Sequence, residues 1–301
     1  MNKKILVLGD IFLDIYSDYE SYRNSPEVKA PVLINKKIQY YVGGAGNLAA
    51  NLRSFNEMVV LISFFNNDEA GKIINKILIR KKIQTFFINL KNYQSITKER
   101  VLNNNKQLAR IDSEKKNFHT KHTLKLLDRY LKKNINYFKS IVISDYDKGF
   151  VNIKMMDIIT FYSKKYNIPT FVDPKKSDPA LYEGVNFITP NLKEFKNFYP
   201  YLNKKEKVKK IFEKTKINFL VVTNGFRGSF YINKNLSEIN FKGFKIIKRD
   251  VSGAGDTFLA SLVYSFIKTK NIDLSMNFSN KMASEVVKIK NICTPKKKYF
   301  N

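Results

Sequence analysis

The chain has 301 residues, 44% of them hydrophobic and 14% aromatic, with a formal net charge of +28 and one cysteine, Cys293. That is enough apolar material for one large α/β domain or two small ones, with no internal disulfide and no apolar run of the ~18 residues a membrane span needs. The lysines are spread along nearly the whole sequence among abundant Asn and Ile rather than clustered into a nucleic-acid surface, so the charge is expected to favour anionic metabolites.

Met1-Asn-Lys-Lys-Ile runs into a strand and a glycine without a signal-peptide cleavage pattern, and the expected location is the cytoplasm. Lys4 to Gly9 is a continuous apolar run, the mark of a buried parallel strand, and its C-terminal end delivers Asp10 and Asp14. Ligands of open α/β sheets gather at such ends; the two carboxylates either accept hydrogen bonds from sugar hydroxyls or cap local turns. Val28 to Ile34 and Ile38 to Val42 read as short strands separated by Asn35-Lys-Lys37, with no helix between them, and predict a small antiparallel flap. Gly43-Gly-Ala-Gly-Asn47 follows, then a helix with Leu48, Ala49, Leu52 and Phe55 on its apolar side. The glycines either permit close helix packing or let backbone approach a ligand, and Asn47 can both donate and accept hydrogen bonds with a polyol. Val59 to Phe64 reads as a strand, Asp68 to Lys82 as a helix and Thr85 to Ile88 as a further strand, a βαβα rhythm.

Thr97 to Asp112 breaks the rhythm with two strand-like arms around an Asn-rich turn, a hairpin that completes the flap. Lys98, Arg100, Asn105 and Arg110 either line a face suited to an anionic sugar or decorate a solvated edge, and the exposed edges suit a homodimer formed through the flap. His119 and His122, three apart in a polar segment, read as solvated surface rather than metal ligands. A helix over Thr120 to Asn134 and a strand over Ser140 to Ser144 lead to Asp145-Tyr-Asp-Lys-Gly149.

The second half repeats the alternation: helix Asn152 to Lys165, strands Thr170 to Asp173 and Phe187 to Thr189, helix Lys204 to Thr215, strand Phe219 to Thr223. Asn191 and Glu194 form either a capping box or a pair that orders water around magnesium or touches phosphate. Ser229 to Ile232 and Phe244 to Ile247 read as strands, and a helix from Leu274 to Lys288 closes the pattern. With no linker, repeat or low-complexity tract, residues 1–301 are expected to form one doubly wound, mostly parallel α/β sheet flanked by helices. The lid segments, about 28–42 and 97–112, are inserted into it.

Asp250-Val-Ser-Gly-Ala-Gly-Asp-Thr-Phe258 is the most informative stretch. A glycine turn opening a buried helix makes an anion site, in which the N–H groups of Gly253, Ala254 and Gly255 meet a phosphoryl group. Asp256 either caps that helix or accepts the proton of a hydroxyl attacking the phosphate.

Gly43 to Asn47 and Asp250 to Thr257, in this order and at this separation, resemble the two signatures of the ribokinase-like (PfkB) sugar kinases. Gly9-Asp10 with Asp14, Asn191 with Glu194, and Thr223 to Gly225 stand where that family places sugar and nucleotide contacts. Arg100 to Asp112, Ser144 to Gly149, Asp173-Pro-Lys175 and Thr189 to Phe195 are similar to kinases of D-glycero-β-D-manno-heptose 7-phosphate. Asn104 stands where those kinases usually carry Arg, and Lys281 to Cys293 is too altered for the resemblance to assign an adenine-contacting residue by name.

The resemblance implies ATP-dependent phosphorylation of the anomeric hydroxyl of that phosphosugar, in ADP-heptose and lipopolysaccharide core biosynthesis. Asp256 would be the general base, and Gly253, Ala254 and Gly255 the phosphoryl cradle. Asn191 and Glu194 would order the surroundings of Mg²⁺, with Thr223 and Gly225 along the nucleotide. Asp10, Asp14, Gly43, Gly44 and Asn47 would hold sugar hydroxyls. Related kinases are often fused to a C-terminal adenylyltransferase; with the sequence ending at Asn301, the kinase alone is expected. Other family activities, on ribose, fructose or a nucleoside, are the alternative, and a non-catalytic binding protein is the rival that intact Asp256 and its glycine turn disfavour.

Overall fold

The computed structural model describes residues 3–90, 92–104, 106–244, 250–289 and 292–295. Its first strand, β1 (Lys4–Gly9), alternates between two cores, Ile5 and Val7 facing one and Leu6 and Leu8 the other. A strand covered on both faces has no side for polar residues, which is why this run is apolar throughout.

The chain leaves β1 into two long strands, β2 (Ile11–Asn24) and β3 (Pro31–Gly44), and returns through α1 (Ala45–Ser54) to β4 (Val59–Phe65). Helix α2 (Glu69–Arg80) and β5 (Gln84–Asn89) follow, then a hairpin of β6 (Ile96–Asn103) and β7 (Lys106–Ser113). Alternation resumes with α3 (Lys121–Asn134), β8 (Phe138–Ser144), α4 (Ile153–Lys165), β9 (Thr170–Asp173) and β10 (Phe187–Ile188). Helices α5 (Leu192–Asn197) and α6 (Lys204–Thr215) lead to β11 (Phe219–Thr223), and β12 (Gly228–Asn233) with β13 (Glu238–Lys242) forms a hairpin. Helices α7 (Ala254–Thr269) and α8 (Ile272–Val286) come last.

The large sheet has nine strands in the order β13-β12-β11-β10-β9-β8-β1-β4-β5. Its pairs from β11 to β5 are parallel, and the hairpin at one edge is antiparallel. Helices α3, α4 and α6 cover the Leu6 face; α1, α2, α7 and α8 cover the Ile5 face. The chain moves from β1 outward to β5 and then returns to the other side of β1 at β8. Strand order therefore reverses between β1 and β8, and the crevice beyond their C-terminal ends is the natural ligand position.

A second sheet of four strands, β3-β2-β6-β7, stands over that crevice. Its construction differs from the expected flap. The segments read as two short strands between residues 28 and 42 are one strand of 14 residues, with Asn35 and Lys37 paired inside it on either side of a one-residue register shift. Its partner β2, also of 14 residues, was not legible: Ile11 to Asn24 mixes aromatic, acidic and hydroxyl side chains because one face meets the cleft and the other does not. The hairpin at 97–112 matches β6 and β7, with Asn104 at φ 48 in its turn, whereas Asn105 lies outside the described residues. So does most of the strand expected at Phe244 to Ile247; the strand after β12 is instead Glu238–Lys242. His119 is not solvated. Its ring packs 4.6 Å from Phe64 and 4.8 Å from Phe150, and burial pulls its pKa down to about 4. His122 is exposed, as expected.

Helix starts separate structure from site. Asp68, Thr120, Asn152, Asn191, Asn203 and Asn271 each cap a helix by accepting a backbone N–H. Helices α1 and α7 instead start on Gly44 and Gly253 with no side-chain cap, so the donors of their first turns are left to something else.

The seam between β1 and β8 leaves no space at its C-terminal end: a Cβ on Gly9 would lie 2.0 Å from the Ser144 carbonyl oxygen. Gly9→Ala is therefore expected to cost about 1–3 kcal/mol in thermal or urea unfolding; an unchanged midpoint would mean that the two strands part without penalty.

Candidate active site

Asp256 sits in the first turn of α7 and is 6% exposed. It is not a helix cap. Asn47 Nδ2, from α1, donates to its Oδ2 at 2.6 Å, and the Tyr146 hydroxyl, from the loop after β8, donates to its Oδ1 at 3.3 Å. Burial pushes its pKa up to about 7; the two donors oppose that rise, and the charge of Asp14 adds to it. A carboxylate poised near neutrality in a crevice suits general-base work. Gly253, at φ 77, makes the turn possible, and a Cβ there would stand 2.7 Å from the Asn47 amide nitrogen.

Registry within the small sheet assembles the other wall. Asp14 pairs with Lys98 and Lys98 with Asp112; Tyr16 pairs with Arg100 and Arg100 with Arg110. Residues level with one another point to one face, so this series of side chains faces the crevice together. Arg100 Nη1 donates to Asp14 Oδ1 at 2.6 Å and stacks over the Tyr16 ring at 4.9 Å. Arg110 holds Asp112 through two bonds of 2.8 Å. Lys98, 7% exposed, donates to Asp112 at 3.1 Å and to Glu114 at 2.6 Å, and Lys148 also binds Glu114.

Three clefts meet at the start of α7. The first, about 390 Å³, lies under the small sheet and is lined by Asp14, Gly43, Gly44, Asn47, Lys98, Arg100, Arg110, Lys148 and Asp256, among others. The second, about 190 Å³, continues past Asp256 to Asp145, Asp173, Lys175, Asn191, Glu194 and Thr223. The third, about 150 Å³ and more apolar, runs from Thr223 and Gly225 to Phe258 and the α8 side chains Asn280, Ala283 and Ser284. Gly255 borders the second and third clefts, while Gly253 and Asp256 border the first and second. Of the sequence-predicted residues that are described, all but Asp10 line these three adjoining clefts.

Asp10 and Ala254 stand differently from expectation. Asp10 accepts backbone N–H groups from Tyr146, Lys148 and Phe150 at 3.0, 3.1 and 3.2 Å, so its oxygens brace the 145–150 loop rather than face the first cleft. Its two oxygens cannot also serve a sugar without releasing those donors. The N–H of Ala254 bonds to the Val251 carbonyl at 3.2 Å inside the turn and is not part of a cradle. Asn191 and Glu194 do form a capping box, with bonds of 3.0 and 2.9 Å, yet both line the second cleft, and the free oxygen of Glu194 takes Lys175 at 3.0 Å. Capping and service to a ligand are compatible here.

A family model described as pfkB family carbohydrate kinase matches residues 2–298. The chain belongs to the pfkB family of carbohydrate kinases. It is accordingly an ATP-dependent carbohydrate kinase, a phosphotransferase with an alcohol acceptor. It is 31% identical over 288 residues to the bifunctional protein HldE of Haemophilus influenzae (strain PittEE), a match covering 94% of this chain and 60% of that one. The chain thus spans about 60% of that relative's length. It is also 31% identical over 291 residues to an uncharacterized sugar kinase of Buchnera aphidicola subsp. Schizaphis graminum, covering 95% of this chain and 91% of that one. Among solved structures, Arabidopsis thaliana ribokinase complexed with ribose and ATP shares the fold, with TM-score 0.76 and 17% identity over 99% of this chain and 97% of that one.

For a carbohydrate kinase, sequence reasoning missed several residues that the fold brings to the groove. Tyr146, Lys148 and Lys175 lie beside the quoted Ser144 to Gly149 and Asp173 to Lys175 blocks, and those blocks were the available signal. Asn280, Ala283 and Ser284 carried none, because a helix face touching a ligand reads like one touching core. No helix among the described residues is long and apolar enough to cross a membrane.

Gly255 offers a clean probe, since a Cβ there meets nothing within 4 Å. Gly255→Val should melt with the parent while filling the groove itself, and nucleotide affinity measured by calorimetry should fall at least ~10-fold, the loss of roughly one charge-assisted hydrogen bond. Unchanged affinity would remove this groove as the nucleotide's position.

Proposed function

We propose that the chain transfers the γ-phosphoryl group of ATP to the anomeric hydroxyl of D-glycero-β-D-manno-heptose 7-phosphate in the cytoplasm, forming the 1,7-bisphosphate for ADP-heptose and the lipopolysaccharide core. The observation that carries this reading is the shape and charge of the first cleft. It runs from a buried carboxylate at the α7 N-terminus to Lys98, Arg110 and Lys148, so a sugar bearing a phosphate at the end remote from its reacting hydroxyl suits it. The relationship to HldE and the blocks resembling heptose 7-phosphate kinases support the same substrate.

In this reading Asn47 and Asp14 hold sugar hydroxyls, with Gly43 and Gly44 letting the backbone come close. Asp256 accepts the proton of the anomeric hydroxyl as its oxygen bonds to the γ-phosphorus and the bond to ADP breaks. The N–H groups of Gly255 and Asp256, which have no acceptor inside the helix, meet the charge on the transferring group at the positive end of α7. Thr223 and Gly225 follow the nucleotide toward the apolar third cleft, which suits an adenine ring.

A magnesium ion fits the donor set. The second cleft offers carboxylates of Asp145, Asp173 and Glu194, oxygen donors that suit an ion held chiefly by phosphates and water. Bound there, Mg²⁺ would neutralise charge on the ATP phosphates. Glu194, fixed by Asn191, and Asp173 are the residues to hold it.

The small sheet would act as a lid that keeps water from the phosphoryl group. Ile38, Tyr40 and Ile111 are exposed on that sheet, which supports a homodimer formed through it.

Asp256→Asn should lower kcat at least ~10²-fold while calorimetric nucleotide affinity holds or improves, because the base acts on the hydroxyl and not on ATP. Since Asp256 must be ionised to accept a proton and its pKa is about 7, kcat/KM of the parent should rise with pH up to that value and level off above it. Near-normal turnover in the variant would sink the assignment of the base.

Arg110 tests the substrate better than Arg100, whose loss would strand the buried Asp14. Arg110→Ala should raise KM for heptose 7-phosphate roughly ten- to a hundredfold, the worth of a charge-assisted contact, and leave KM for ATP in place. Parent enzyme that prefers ribose, fructose or a nucleoside in a substrate panel would replace the heptose reading with another activity of the family.

A further inference from the structure

An amide beside a carboxylate must present its NH₂ group and turn its carbonyl away. What sets the orientation of Asn47 lies one layer below the groove, in Asn51 and Thr257, which line none of its three clefts. Both are fully buried, 0% exposed. The Thr257 hydroxyl donates to Asn51 Oδ1 at 2.8 Å. Asn51 Nδ2 donates to Asn47 Oδ1 at 3.3 Å and to the Asn47 carbonyl at 2.9 Å, and Asn47 Nδ2 donates to Asp256 Oδ2 at 2.6 Å. Every link donates in one direction, toward Asp256. The series also crosses from α7 to α1 and back, joining the two helices that start on glycine without a side-chain cap.

We infer that Thr257 and Asn51 are positioning residues for phosphoryl transfer, a buried one-way hydrogen-bond relay that holds the Asn47 amide donating into Asp256 and so keeps that carboxylate ionised and aimed at the sugar hydroxyl. The inference rests on the reading of Asp256 as the base. Reversal of either amide sets a carbonyl against an oxygen; the Asn47 main-chain carbonyl holds the Nδ2 end of Asn51 and the Thr257 hydroxyl its Oδ1 end, so loss of the hydroxyl removes the donor that holds a buried amide oxygen. The other groups facing Asp256 cannot replace the relay. Tyr146 donates at the longer distance of 3.3 Å, from a loop that borders the groove. Asp14, from β2, is a carboxylate whose charge opposes ionisation of Asp256; Asp173, at the end of β9, is itself held well above the usual carboxylate range by burial and by the charges of Glu194 and Asp256, and Lys175 is already paired with Glu194. The Asn47 hydrogen bond is the larger of the two influences that lower the Asp256 pKa against burial.

The test compares Thr257→Val, which removes the hydroxyl at nearly constant shape, with Thr257→Ser, which keeps it. Carbon-13 NMR of the aspartate carboxyls, assigned with Asp256→Asn, reads the Asp256 titration directly, and kcat/KM against pH reads it through catalysis. In Thr257→Val both should move up by about one pH unit, so that kcat/KM falls about fivefold at pH 7 and recovers by about pH 9, with KM for ATP unchanged. Thr257→Ser should match the parent in both. A valine variant that titrates like the parent, or a serine variant that loses as much as the valine one, would overturn the relay. Should Thr257→Val fail to fold, Thr257→Cys takes its place: the thiol is a weak donor and should give a smaller upward move, whereas no move would count against the relay. Failure of the base reading is separate, because it appears as near-normal turnover in Asp256→Asn, and the NMR titration still decides whether the relay acts on Asp256.

Discussion

The groove depends on keeping a carboxylate buried where a helix begins. Asp256 is 6% exposed, and water is replaced around it by an amide, a phenol and the field of α7. The replacement is incomplete. Its folded pKa of about 7 exceeds the unfolded value of 3.8, so the folded state binds this proton more tightly, and the stability it contributes in acid is lost as pH rises from about 4 through 7. That loss is on the order of a few kcal/mol. Asp10, Asp14, Asp145 and Asp173 are raised in the same direction by burial, so the rim of the sheet is where the fold sacrifices stability at neutral pH.

The rest of the architecture answers that constraint. Two uncapped helices are brought side by side on one face of the sheet, and their contact is polar where Asn47, Asn51, Asp256 and Thr257 meet, although apolar cores surround it. Asp10 performs a comparable service below the groove, tying down the loop that presents Tyr146 and Lys148. Tyr182, fully buried, donates to Asp145 at 2.7 Å and accepts the N–H groups of Lys175 and Lys176, so the loop after β9 is held to the loop after β8. Rigid supports of this kind hold donors in place before a ligand arrives, which is where electrostatic stabilisation gains most.

Charge on the small sheet is arranged by the opposite logic. Arg110 is matched by Asp112 and Lys148 by Glu114 at partly exposed positions where such pairs are worth little, while the buried Lys98 reaches both carboxylates. Pairs so weak exchange readily for a phosphate, whose bonds to the same cations are charge-assisted on both sides. The Arg100–Asp14 pair is different, because Asp14 is buried and loses its one strong partner if Arg100 leaves.

Sequence alone determined the parallel α/β sheet, because runs such as Lys4 to Gly9 must be covered on both faces, and most helices, because their caps and 3.6-residue periods are local. It also marked the two glycine motifs, whose residue types are dictated by backbone approach. It did not determine β2, whose alternating environment hides its strand character, or that Asp10 is spent on a loop 136 to 140 residues away. Nor could it choose between a capped helix and a base for Asp256. Its partners come from 209 and 110 residues earlier in the chain, and only the packing of α1, α7 and the β8 loop against one another decides where those oxygens point and how strongly they hold a proton.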